Sequence, residues 1–263
     1  MNAVRAVIAW VEGVMATPLG VFTFLTVSGF LFYMALAGVS YLVFFVWGRE
    51  RYNPDFVPDW ALQRSAMLWG LISIAGNAAF MTPLHWLGLR YSRVYWDVGE
   101  HGWWWVPVSV LLLLVLSETA VYWVHRALHW PWLFKHVHIR HHSWRHPTPW
   151  VGVAFHPLDS FAQALPHHLF AFLFPIHGVV YTVSVAMLTM WAVAIHDRVS
   201  LFRFRWLNYT GHHTIHHFYN NYNFGQYTTF WDRWCGTWKE PEGERFLRPA
   251  APWGRRREPV RAK

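Results

Sequence analysis

Charge is scarce in this chain. Lys, Arg, Asp and Glu make up 14% of its 263 residues, where an ordinary soluble domain carries about 25%. That shortage argues against a wholly water-soluble protein. Cysteine is nearly missing as well: Cys235 alone excludes an intramolecular disulfide and any thiolate-rich zinc or iron–sulfur site. No H-E-x-x-H pairing supplies a carboxylate base among metal ligands, and no flavin, nucleotide or haem motif occurs. No internal repeat is present. The net charge of +8 does not fall on a polar domain with exposed aromatics, so nucleic acid is excluded as a partner.

What the chain does have is apolar length and histidine. Hydrophobic residues make up 54% and aromatics 19%. Three stretches are long enough to cross a bilayer, which takes about 20 residues: Gly20 to Trp47, Ser65 to Leu89, and Trp103 to Val124. The Trp103–Trp105 run reads as an interfacial aromatic belt. A fourth apolar region, Phe161 to Ile195, is broken by Pro166 and Pro175 and reads as a helical hairpin that enters and returns on one side, with two full spans as the alternative. Segments 48–64, 125–160 and 196–263 hold 19 of the 22 Lys and Arg residues, which assigns them to the cytoplasmic side. Residues 1–19 lack a clean signal-peptide pattern and read as an interfacial segment. Residues 20–102 would carry the first two spans, 103–239 the chemistry, and 240–263 a disordered basic tail. The expected fold is therefore all-α: a multi-pass membrane helical bundle with a cytoplasmic, histidine-rich, metal-binding cap.

Of the 18 histidines, 16 fall between His125 and His217. His125 and His129 form H-x-x-x-H in HRALH. His138, His141 and His142 form H-x-x-H-H in HIRHH, and His213, His216 and His217 repeat it in HTIHH. His196 stands alone after the hairpin. Spacings of three and four place side chains on one helix face, so each cluster can aim imidazoles at a common point. Nine ring nitrogens exceed the positions of one ion, and two metals are the natural number. Imidazole without thiolate or clustered carboxylate suits iron, zinc or copper rather than magnesium or calcium.

Metal-bound imidazole usually gives its other N–H to a carboxylate or carbonyl. Glu118 lies seven residues before His125 on the same helical face, inside a span where charge is expensive, and is the first candidate for that role. Asp159, Asp197 and Asp232 lie beside histidine-rich or Asn/Gly-rich segments and are further candidates. His156 in AFHPLD is a candidate supporting residue or extra ligand, and His136, His146 and His212 are near enough to join it. Trp123, Trp130, Trp132, Trp144 and Trp150 would line a lateral entry for a lipid or anchor the interface.

The segments ETAVYWVHRALH, HVHIRHH, AFHPLD and HHTIHHFYNNYNFGQYTTFWDRWCGTW resemble the fatty acid hydroxylase/sterol desaturase superfamily of membrane non-haem di-iron enzymes. Within it, the run from Val121 to Trp238 is most similar to the sterol C-5 desaturases (lathosterol oxidases). Glu118, Ile215 and Arg198 depart from the pattern, which has Asp, a polar residue and Gly there. The resemblance implies nine iron ligands, His125, His129, His138, His141, His142, His196, His213, His216 and His217. It also implies two iron ions, O2 as co-substrate, and a lipid or sterol substrate drawn from the bilayer. Electrons would come from a small cytochrome b-type or ferredoxin-type protein and its reductase. The setting would be a bacterial plasma membrane or a eukaryotic endoplasmic reticulum. Desaturation of a sterol-like lipid is the leading expectation. Hydroxylation of a fatty acyl, alkyl-glycerol or carotenoid lipid by the same irons is the alternative, and a zinc-dependent membrane hydrolase is the remote one.

Overall fold

A computed structural model describes residues 2–54, 56–144, 147–200 and 203–241. The chain opens with α1 (Asn2–Val14) and α2 (Pro18–Tyr41), which continues as a π-helical turn over Leu42–Trp47. The short α3 (Arg49–Tyr52) leads to α4 (Trp60–Tyr91). After strand β1 (Val94–Tyr95) come α5 (Trp105–Leu128), α6 (Pro131–His136) and a 3-10 turn over His138–Ser143. Then follow α7 (Pro157–Leu173), strand β2 (Ile176–His177), α8 (Gly178–Ile195), α9 (Thr210–Tyr219) and α10 (Phe230–Trp234). Of the tail expected over 240–263, residues 242–263 lie outside the described residues.

Local chemistry starts and stops the long helices. Thr17 caps α2 by accepting from the Gly20 amide at 3.1 Å, with Pro18 following, where its missing N–H costs nothing. Asp59 caps α4 by accepting from the Ala61 and Leu62 amides at 3.0 Å each. Among the described residues, four helices are long and apolar enough to cross a membrane: Pro18–Trp47, Trp60–Tyr91, Trp105–Leu128 and Gly178–Ile195. Their outward positions are greasy too, with Leu31 on α2 and Leu111 on α5 each 62% exposed. A helix apolar all round needs lipid or protein on every side. The chain is a membrane protein.

The hairpin expected over 161–195 is there as α7 and α8, and both of its ends lie with the histidines. Its turn goes deeper than a shallow re-entry. β2 pairs in parallel with β1, matching Val94 with Ile176 and Tyr95 with His177. The Trp105 indole also donates to the Pro175 carbonyl at 2.9 Å. The turn thus meets the α4–α5 connection at the end of the bundle opposite the histidines, so α7 and α8 traverse the bundle twice.

Helix contact is close where side chains are small. A Cβ on Gly76 would fall 2.4 Å from Pro157, at the start of α7, and one on Gly70 would fall 2.9 Å from the Tyr33 hydroxyl. Tyr33 donates to the Trp150 carbonyl at 2.7 Å, inside a cluster that includes Tyr41, Phe45, Trp144 and Trp150. Two of the tryptophans expected at an entry or interface are therefore core residues. Trp144 and Trp150 sit under the α2–α4 pair because residue 144 and residues 147–154 pack back onto it. Trp123, Trp130 and Trp132 are exposed, in keeping with interfacial rings.

Candidate metal centre

The histidines converge from four parts of the chain. His125 lies in the last turn of α5, and His129 sits just past its end. His138, His141 and His142 lie on the 3-10 turn. His196 ends α8, and His213, His216 and His217 lie on α9. The side chains form two adjoining groups, each of which could hold a metal ion. One holds His125, His129, His138, His142 and His216; the other holds His141, His196, His213 and His217. Within each group the nitrogens lie within 4.8 Å of one another.

Each H-x-x-H-H cluster divides between the groups instead of aiming at one point. The i,i+4 pairs His125/His129, His138/His142 and His213/His217 stay together, while His141 and His216 turn to the neighbouring group.

The contacts fit a cation. In the group of four, Nε2 of His196 lies 3.3, 2.9 and 3.2 Å from Nε2 of His141, His213 and His217. In the other, Nε2 of His142 lies 3.1 Å from Nε2 of both His138 and His216. With metal–nitrogen bonds of about 2.1 Å, ligands around one ion stand about 3.0 Å apart at right angles and about 3.4 Å apart in a tetrahedron. The opposite ring nitrogens supply the second half of the test. Nδ1 of His138 donates to Asp159 at 2.6 Å, and Nδ1 of His125, His196 and His216 donates to the carbonyls of Phe224, Ala192 and Tyr222 at 2.9, 2.6 and 2.8 Å. Those tautomers leave Nε2 as a bare lone pair. Lone pairs facing one another in a buried site repel unless a cation lies among them. Nε2 of His125 and of His129 are buried with no protein partner, as ligands to an ion would be.

Protonation agrees. Burial first, and then neighbouring imidazoles, holds His129, His141, His142, His213, His216 and His217 below the ordinary imidazole range. Burial brings His196 down to about 4. Neutral rings at pH 7 keep their lone pairs for a metal.

The carboxylates divide in role. Asp159 is fully buried, accepts from His138, and takes a second bond from Gln163 at 2.7 Å. Asp232 acts at one remove. It accepts from the Phe224 and Gly225 amides at 2.9 and 2.8 Å and so holds the carbonyl that orients His125. Glu118 bonds no histidine among the described residues. It accepts from the Tyr227 amide at 2.8 Å and from the Thr228 amide and hydroxyl at 3.0 and 2.9 Å. The loop beside α5 brings amides into a water-poor place, and Glu118 satisfies them. Asp197 accepts from the Val199 amide at 2.9 Å and is pushed up to about 8 by burial. His156 caps α7 by accepting from the Leu158 amide at 3.2 Å, so it belongs to neither group. His136 donates to the Trp132 carbonyl at 2.8 Å in an exposed position. His212 is buried outside both groups, and His146 lies outside the described residues.

The asparagines of FYNNYNFG have a backbone role. Asn220 and Asn223 take φ of 62° and 57°, a left-handed conformation that Asn tolerates better than most residues. Arg198 has φ of 64°, at the position where the resembled family has Gly.

Sequence reasoning passed over His167 and His168 on α7. Nε2 of His167 lies 3.1 Å from the Tyr227 hydroxyl, and Nδ1 of His168 lies 2.6 Å from the Tyr181 hydroxyl. The available signal was a pair of imidazoles in the middle of an apolar stretch.

The Fatty acid hydroxylase family model matches residues 110–237, the span that holds all nine converging histidines. A Delta(7)-sterol 5(6)-desaturase of Eremothecium gossypii is 37% identical over 233 residues, covering 87% of this chain and 65% of that protein. Lathosterol oxidase of Rattus norvegicus is 37% identical over 226 residues, covering 81% of this chain and 73% of the relative. The Homo sapiens lathosterol oxidase is 35% identical over 225 residues, with 82% and 73% covered. No solved structure matches. The chain belongs to the fatty acid hydroxylase family. Desaturase and oxidase are names of oxidoreductases, and this chain falls among them.

Proposed function

We propose that the protein is a di-iron, O2-dependent membrane oxidase that desaturates a sterol or sterol-like lipid at positions corresponding to the sterol C-5 desaturases. The observation that carries this reading is the meeting of nine imidazole side chains, all buried but the half-buried His129, as adjoining groups of five and four. His125, His129, His138, His142 and His216 would hold one ion, and His141, His196, His213 and His217 the other. Relatives named for sterol 5(6)-desaturation and lathosterol oxidation, at 35–37% identity, support the substrate class, and the all-imidazole ligand set with the resemblance to the non-haem di-iron superfamily supports iron as the metal. A redox-active pair bound there would supply the activation of O2 that breaks an unactivated C–H bond.

The chain's own residues do the rest. Asp159 and the carbonyls of Phe224, Ala192 and Tyr222 keep the ligand tautomers fixed. Burial excludes bulk water from the ring nitrogens. The spans set the depth at which a lipid meets the metal groups, and substrate placement decides between desaturation and hydroxylation. Residues 103–239 form the catalytic region, residues 20–102 contribute the first two spans, and residues 1–19 form an interfacial segment. The excess of Lys and Arg in short loops supports a cytoplasmic histidine face. Exposed Lys135, Arg140, Arg203, Arg205 and Arg233, on the segments that carry or flank the histidines, favour an acidic electron donor of cytochrome b or ferredoxin type.

Expression in a host that lacks sterol C-5 desaturation, followed by lipid analysis and metal determination, tests the reading. The expected product has lost two hydrogens, and the purified protein carries iron. A product that has gained one oxygen atom indicates the hydroxylase alternative. Active protein with stoichiometric zinc and no iron would refute the oxidase.

A further inference from the structure

We propose that His167, held by Tyr227, is a binding site for the hydroxyl group of the lipid substrate; this rests on the sterol reading above. Five aromatic or imidazole side chains form a polar seam through the apolar bundle, apart from the metal groups: His85 on α4, His167 and His168 on α7, Tyr181 on α8 and Tyr227 on the loop after α9. Polar groups at such depth are expensive and need partners. His168 has one, since its Nδ1 lies 2.6 Å from the Tyr181 hydroxyl and ties α7 to α8. His167 does not use both of its nitrogens. It is 2% exposed; its Nε2 meets the Tyr227 hydroxyl at 3.1 Å, and its Nδ1 is buried with no partner.

A buried nitrogen without a partner has lost its water and gained nothing in return, so a ligand that fills it is favoured. The chemistry of the pair selects a hydroxyl. If Tyr227 donates to Nε2, Nδ1 carries the proton and is a free donor. If Nε2 donates to Tyr227, Nδ1 is a free acceptor. A hydroxyl satisfies either state, being donor and acceptor at once. A sterol has one such group, on an otherwise apolar body.

The same helices carry His167 and the residues that serve the metal groups. His167 lies eight residues along α7 from Asp159, which bonds His138, and that is about 12 Å of helix rise. Trp191, whose ring packs 5.8 Å from that of Tyr227, lies five residues before His196, or about 7 Å. Tyr227 is itself fixed by Glu118 through its amide at 2.8 Å and by the Trp191 indole, which donates to the adjacent Gln226 carbonyl at 2.7 Å. The loop that orients His125 through Phe224 therefore also carries the tyrosine that holds His167.

The test uses full-length, iron-loaded protein in host membranes, with lathosterol and its 3-deoxy counterpart as substrates. The wild-type enzyme should prefer lathosterol by about 10- to 100-fold in kcat/KM. His167→Leu should bring that ratio close to one, and Tyr227→Phe should lower it by less. Damage to folding or metal loading slows both substrates alike and leaves the ratio unmoved. If the wild type turns over both sterols equally, or His167→Leu keeps the wild-type ratio, the hydroxyl site is overturned while the sterol reading stands. If the wild type turns over neither, the sterol reading falls and the hydroxyl site falls with it.

Discussion

Replacing Asp159 by Asn probes one buried hydrogen bond with almost no change in shape. The Asp159 carboxylate takes a bond from His138 Nδ1 at 2.6 Å and from Gln163 Nε2 at 2.7 Å, and both Asp159 and His138 are 0% exposed. It faces two donors and serves both. Asparagine has one acceptor oxygen and an NH2 group, so one of the two donors must then face another donor. If the amide nitrogen turns to His138, the ring meets it only by moving its proton to Nε2, and the lone pair that would bind metal is lost. If the oxygen stays on His138, the half-buried Gln163 must turn its own amide oxygen to the new NH2 group, and His138 loses the charge that raises its basicity. Either outcome costs about 1–3 kcal/mol. Loss of such a partner typically weakens metal binding by about 10- to 100-fold. The assay is a chelator titration of the iron-loaded protein with metal counted at each step. Asp159→Asn should release one ion at 10- to 100-fold lower chelator concentration, and the ion at His141, His196, His213 and His217 should be retained as in the wild type. Wild-type retention of both ions would refute the assignment of His138 as a ligand oriented by Asp159.

Two further outcomes follow from the same geometry. The metal-free protein should lose stability on acidification: His196 has a folded value of about 4 against an ordinary 6.5, so below 6.5 the unfolded chain binds the extra proton. The His196 share of stability is present above about pH 7 and falls between 6.5 and 4, and the six cage imidazoles held lower carry the loss on below 4. Asp197, raised by burial, shifts stability the other way by one proton, and the seven imidazoles outweigh it; a melting temperature flat between pH 6.5 and 4 would contradict the buried neutral cage. Gly76→Ala puts a methyl carbon 2.4 Å from Pro157, so α4 and α7 must separate. The expected loss is about 1–3 kcal/mol of stability, read as a lower melting temperature in detergent, and an unchanged value would show that the two helices do not need this contact.

The residues announced the outline of the fold and of the site to different depths. Apolar runs of bilayer length mark α2, α4 and α5 because lipid demands apolar side chains on all faces, and this demand is local. Histidine spacing marks the ligand types for the same reason. What spacing does not carry is the handoff between groups, because the second cluster lies on a 3-10 turn and the third on an α-helix. The depth of the α7–α8 turn depends on pairing with β1, about eighty residues earlier in the chain. Glu118 was legible as a buried charge but not by its partner, since the amides it binds come from residues 227 and 228. Trp144 and Trp150 look like interfacial rings until the chain is seen folding back over α2.

The division of the clusters makes the two groups one structural unit. α9 gives His213 and His217 to one group and His216 to the other. A shift of register by one residue would turn every side chain on it by about 100° and empty both groups together. The residue after the helix guards against that. Asn220 takes φ of 62° and stops the α-helical path, and two residues later the Tyr222 carbonyl accepts from His216 at 2.8 Å. The turn that ends the helix is thus the turn that fixes His216. Loss of a single imidazole is a local injury to one group, whereas a residue at position 220 that resists the left-handed conformation loosens the end of α9 and weakens both.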